Sequence, residues 1–126
     1  MNTYFLIAAI LVFLVGIIHS ALGEYLIFRH LRGKSIVPTN AAPPLRERHV
    51  KILWATWHIV TIFGFAFGVL LLKLSQSTGN GSHEALIKEI IIYAMLASSL
   101  LVLWATKGRH PGWVGLAAVA LFTWLG

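Results

Sequence analysis

Ile17-Ile18-His19-Ser20-Ala21-Leu22-Gly23-Glu24 closes an apolar run in which residues 1–23 carry no charged side chain. About 20 apolar residues span the hydrocarbon of a bilayer, so the run is long enough to cross one. It then places an imidazole and a carboxylate where hydrocarbon is expected. A polar group facing lipid is costly, so His19 and Glu24 are expected to face protein, water, a metal or a cofactor.

The rest of the chain repeats the first half of that pattern. Its 126 residues are 58% hydrophobic and 11% charged, and the mean hydropathy is +0.81. Soluble domains carry about 25% charged residues, so the composition points to a membrane protein. The length suits a single domain over 1–126, with helices at about 3–32, 45–73, 84–106 and 111–125. The predicted class is all-α: a polytopic, four-transmembrane-helix bundle. Pro38, Pro43 and Pro44 break the first connection, the Gly/Ser/Asn-rich stretch from Ser75 to Ser82 forms the second turn, and Gly108 with Pro111 marks the third. No cysteine is present, which excludes disulfides and thiolate chemistry. The first span lacks the basic n-region and small-residue cleavage site of a signal peptide.

The net charge of +6 is better explained by membrane orientation than by nucleic acid, because the basic residues border the apolar segments. Arg29, Arg32, Lys34, Arg46, Arg48 and Lys51 flank the first loop, and Lys107 and Arg109 the third; only Lys73 and Lys88 flank the second. The positive-inside rule then places the first and third loops in the cytoplasm and both termini outside.

With that orientation, His19 on helix 1 and His58 on helix 2 lie at matched depth, roughly 12–14 Å inside the cytoplasmic face at 1.5 Å per residue. Glu24 is nearer the surface, and His110 and Arg109 lie at the mouth. His19 and Glu24 are five residues apart, about 140° around a helix, and do not share a face. Gly16, His19 and Gly23 do, which lets something flat or bulky approach the backbone. On helix 2, Trp54, His58, Thr61 and Phe65 form a stripe. Such a constellation suits a haem b clamped between His19 and His58, or a metal ion held by His19, Glu24, His58 and His110. A quinone stacked on tryptophan would also fit. No compact metal signature such as HExxH is present. Plainer roles compete at every position: His58 bonded to Ser98 or Ser99, Glu24 paired with Arg29, Arg48 or Arg109, and His110 as a helix cap.

HSALGE on helix 1, ATWH on helix 2 and the GRHPGW corner resemble a group of small uncharacterised four-helix proteins of the bacterial inner membrane. The resemblance implies a fold and a multi-pass location in that membrane, and no activity. Two functional classes follow. One is a metal- or haem-binding protein, redox-active or a metal-dependent enzyme. The other is a non-enzymatic membrane subunit or small transporter component, whose His and Glu relay protons or pair with a helix. The lipid bilayer is the first expected partner, and Gly64 and Gly68 offer a close-approach surface, for packing within the bundle or for a second copy.

The orientation is testable on an otherwise cysteine-free background. Cysteines introduced at Gly79 and Thr39 should differ towards an impermeant thiol reagent in intact cells, with Gly79 labelled and Thr39 protected. The reverse pattern would invert the topology.

Overall fold

A computed structural model describes residues 1–77 and 81–126. The chain is helical: α1 spans Thr3–Leu26, α2 Glu47–Gln76, α3 Ser82–Thr106 and α4 Gly112–Leu125. α1, α2 and α3 are long and apolar enough to cross a membrane, while α4 is a shorter apolar helix. The spans agree with the expected ones to within a few residues, apart from one end. Helix 1 stops at Leu26, and the anticipated continuation is a separate 3-10 turn, Phe28–Leu31. Residues 78–80 of the second expected turn lie outside the described residues.

The helices contribute to two compact units. The first contains residues 1–15 and 64–126, which is to say the start of α1, the end of α2, and all of α3 and α4. Its core is one cluster: Phe5, Ala8, Ala9 and Val12 from α1, Leu71 and Leu74 from α2, Ile91 and Met95 from α3, Val119 and Ala120 from α4. Small residues set the spacing, because side chains of this size let helix backbones approach closely. Ala8 and Ala9 are fully buried. A Cβ on Gly68 would lie 2.8 Å from the Phe13 ring, so this glycine is the seat of an aromatic side chain of α1. Phe13 also packs on Phe65, with ring centroids 5.5 Å apart.

Polar groups close the ends of this unit. Asn2 caps α1, its Oδ1 accepting from the backbone N–H of Tyr4 at 3.0 Å, while its Nδ2 donates to the Gly126 carbonyl at 3.0 Å. The α3–α4 corner turns through two left-handed residues, Lys107 at φ 52° and Gly108 at φ 77°. Glycine was expected there; the lysine before it shares the conformation, and the Gly108 N–H returns to the Leu103 carbonyl at 2.9 Å. Ser99 donates to the Trp113 carbonyl at 2.8 Å, joining α3 to α4. Glu84 accepts from the Ser77 hydroxyl.

The second unit, residues 16–63, is a hairpin of the end of α1, the first loop and the start of α2. Its loop is held against the 3-10 turn. The N–H groups of Thr39 and Asn40 both reach the Leu31 carbonyl, at 3.0 and 2.9 Å, and the Asn40 amide donates to the Arg32 carbonyl at 2.9 Å. That fold-back fixes where Arg32 stands.

Candidate functional site

Within the hairpin unit, Gly16, Ser20 and Glu24 recur every four residues along α1. Residues so spaced lie on one helical face. Trp54, His58 and Thr61 make the matching stripe on α2. The two stripes meet in a continuous row of hydrogen bonds. Trp54 Nε1 donates to Glu24 Oε1 at 2.6 Å, and His58 Nε2 lies 3.0 Å from the same oxygen. Arg32 donates through Nη2 to Glu24 Oε2. On its other side His58 Nδ1 is 2.9 Å from Ser20 Oγ, which is 2.8 Å from Thr61 Oγ1. Thr61 in turn donates to the Gly16 carbonyl at 3.4 Å.

Donor and acceptor rules orient this row. An ionised carboxylate can only accept, so His58 carries a proton on Nε2. In the neutral imidazole Nδ1 is then a lone pair. Ser20 donates to it, and Thr61 donates to Ser20. When Nδ1 is also protonated, both hydroxyls turn: His58 donates to Ser20, Ser20 to Thr61, and Thr61 to the Gly16 carbonyl. The neutral state is bonded from Glu24 to Thr61, and the protonated state extends the row to the Gly16 carbonyl, because Thr61 has one proton to give. One charge partner and two N–H donors surround the half-buried Glu24 carboxylate, as a carboxylate withdrawn from solvent requires.

A second face of α1 carries His19 and Gly23, again four apart. The flat group admitted there is Trp57. Its indole stacks on the His19 ring at 4.3 Å and 6° and donates to the His19 carbonyl at 3.0 Å. A Cβ on Gly23 would fall 2.2 Å from Trp57 Nε1. The edge of Trp57 meets Phe28, and Trp54 stands edge-on to His58 at 4.9 Å.

The expected site residues are thus distributed as follows. Glu24 and His58 are in direct contact. His19 lies on the neighbouring stripe against Trp57. His110 belongs to the four-helix unit, where its Nδ1 accepts from the Gly112 N–H at 3.0 Å, a capping contact. Arg109 is also in that unit. The partner of Glu24 is Arg32, whereas Arg29 lies 3.8 Å over the Tyr25 ring and Arg48 donates to His49 at 3.4 Å. His58 is bonded to Ser20 rather than to Ser98 or Ser99. Among the described residues no group of three or more His, Asp or Glu side chains is placed to hold a metal ion.

Ser20, His58 and Glu24 also stand in the order of a nucleophile, a base and an orienting carboxylate. Acyl transfer needs N–H donors aimed at the developing oxyanion. Ser20 lies inside α1, where backbone N–H groups are committed to carbonyls four residues earlier. The second hydroxyl, Thr61, extends the row further instead. The geometry favours moving or holding a proton over attacking a carbonyl. No family model, curated protein or solved structure matches this chain, so the chemistry rests on its own residues.

Gly23 and Gly64 should respond oppositely to alanine. Gly23→Ala gains about 1 kcal/mol of helix propensity, but overpacking against the anchored indole costs about 1–3 kcal/mol and strains the Trp57–His19 bond. Gly64 has only Val12 at 4.0 Å to meet. Thermal melting in detergent should fall for Gly23→Ala and hold or rise for Gly64→Ala.

Proposed function

We propose that the chain is a multi-pass protein of the bacterial inner membrane, with the first loop in the cytoplasm, and that its hairpin relays protons between the cytoplasmic surface and mid-membrane. The relay runs Glu24–His58–Ser20–Thr61, with Arg32 as the fixed charge beside Glu24. The observation that carries this reading is His58, engaged at one nitrogen by a carboxylate and at the other by a pair of hydroxyls that can reverse together. Histidine is the side chain suited to gaining and losing a proton near neutrality. Ionisable residues in a span commonly mark proton routes. The protein is accordingly a non-enzymatic membrane subunit or small transporter component. Arg32 holds Glu24 in place, Glu24 sets the tautomer of His58, and Ser20 with Thr61 carry the row inward.

The consequence is measurable in liposomes. From Glu24 to Gly16 the row covers about 12 Å of helix rise, out of a hydrocarbon core of ~30 Å. It therefore shortens the apolar path for a proton. Liposomes containing the protein and an internal pH dye should acidify several-fold faster than empty vesicles under an imposed pH gradient. His58→Phe, and to a lesser degree Thr61→Val, should return them to the vesicle background. Equal rates for wild type and His58→Phe would remove the relay.

A further inference from the structure

The hairpin unit holds a second feature that the relay does not use. Between the end of α1 and the start of α2 lies an open cleft of about 380 Å³, walled by Phe28, Leu31, Leu45, Leu53, Trp57 and Val60. The volume falls in the range of about 300–1,000 Å³ found for small-ligand sites. Its lining is almost wholly apolar, with Thr56 and the Trp57-stacked His19 the exceptions. Leu53 and Val60 are 51% and 60% exposed, so the cleft opens sideways from the helix face.

Its rim is basic. Residues 27–51 contain six Lys and Arg against one acid, Glu47. Arg32 is paired with Glu24, and Lys51 with Glu47 at 2.5 Å. Among the described residues the other four, Arg29, Lys34, Arg46 and Arg48, have no carboxylate partner. Two of them directly follow residues that wall the cleft: Arg29 follows Phe28, and Arg46 follows Leu45. An apolar cleft walled by a strongly basic segment of the chain matches a molecule with a hydrocarbon chain and a negative head.

We propose that this cleft seats one acyl chain of an anionic phospholipid of the cytoplasmic leaflet, its phosphate held by Arg29, Arg46 and Arg48. Basic clusters at the cytoplasmic end of a span attract anionic lipids by charge. The cleft adds a place for the chain, so the lipid is held by shape as well as by field. The assignment rests on the membrane reading above and not on the relay. A bound lipid would also cover the outer side of Trp57, whose stack on His19 borders the relay stripe.

The test is lipid retention by the purified protein in detergent micelles containing equal amounts of phosphatidylglycerol and phosphatidylcholine with identical chains, counted by native mass spectrometry. Wild type should retain one phosphatidylglycerol, several-fold in preference to phosphatidylcholine. Val60→Trp, which fills the cleft from an exposed position, should lose it. Arg46→Gln with Arg48→Gln should abolish the preference between head groups. Equal retention of the two lipids by wild type would mean unspecific annular lipid and would overturn the proposal, as would undiminished phosphatidylglycerol on folded Val60→Trp. The wild-type comparison decides even if that variant fails to fold. A chain recovered soluble without detergent would overturn the membrane reading together with the lipid site. A detergent-dependent chain without lipid preference would overturn the lipid site alone.

Discussion

A carboxylate on an apolar helix has to be satisfied, and the hairpin unit is arranged around satisfying Glu24. Its two oxygens receive Trp54 and His58 from α2 and Arg32 from beyond the end of α1. Removing the carboxylate would strand a guanidinium, an indole N–H and an imidazole N–H together. Breaking one side of such a group is more damaging than replacing the whole of it. The same requirement explains the local backbone. α1 must stop at Leu26 and give way to a short 3-10 turn so that Arg32 can return to a residue eight positions earlier.

Packing and chemistry occupy separate stripes of α1. The stripe of Gly16, Ser20 and Glu24 carries the hydrogen-bonded row, and that of His19 and Gly23 carries Trp57. Gly23 is what permits the indole to lie flat against the helix, and the indole in turn anchors to the His19 carbonyl. In the four-helix unit the same device appears without polar chemistry, where Phe13 lies on Gly68. Glycine followed by an aromatic from the facing helix is the packing rule common to both units.

Much of the architecture was legible in the residues. A charge-free stretch of 23 residues, proline-marked breaks and a Gly-Arg-His-Pro corner locate the helices because span length and turn chemistry are local properties. That Glu24 and His58 need partners was legible for the same reason: each is a polar side chain in an apolar segment. Their partners were harder. Arg32 depends on a fold-back held by backbone bonds to Leu31, which no pattern of side chains announces. Ser20 is within reach of the sequence, since it lies four residues before Glu24 and so on its face, whereas His19, five residues before, does not. Of the two glycines that flank His19 on its face, Gly23 is the one that seats a flat group. That the flat group is Trp57 of the facing helix required the helices to be set side by side.

The central claim is that Glu24 fixes the proton of His58 on Nε2 and leaves Nδ1 to the hydroxyl row. Nitrogen-15 NMR of histidine-labelled protein in bilayers reads this directly, with the His58 signal identified by its loss in His58→Gln. The account predicts that neutral His58 is the Nε2–H tautomer and that Glu24→Gln weakens this preference. A neutral His58 with its proton on Nδ1, or a tautomer indifferent to Glu24→Gln, would contradict it.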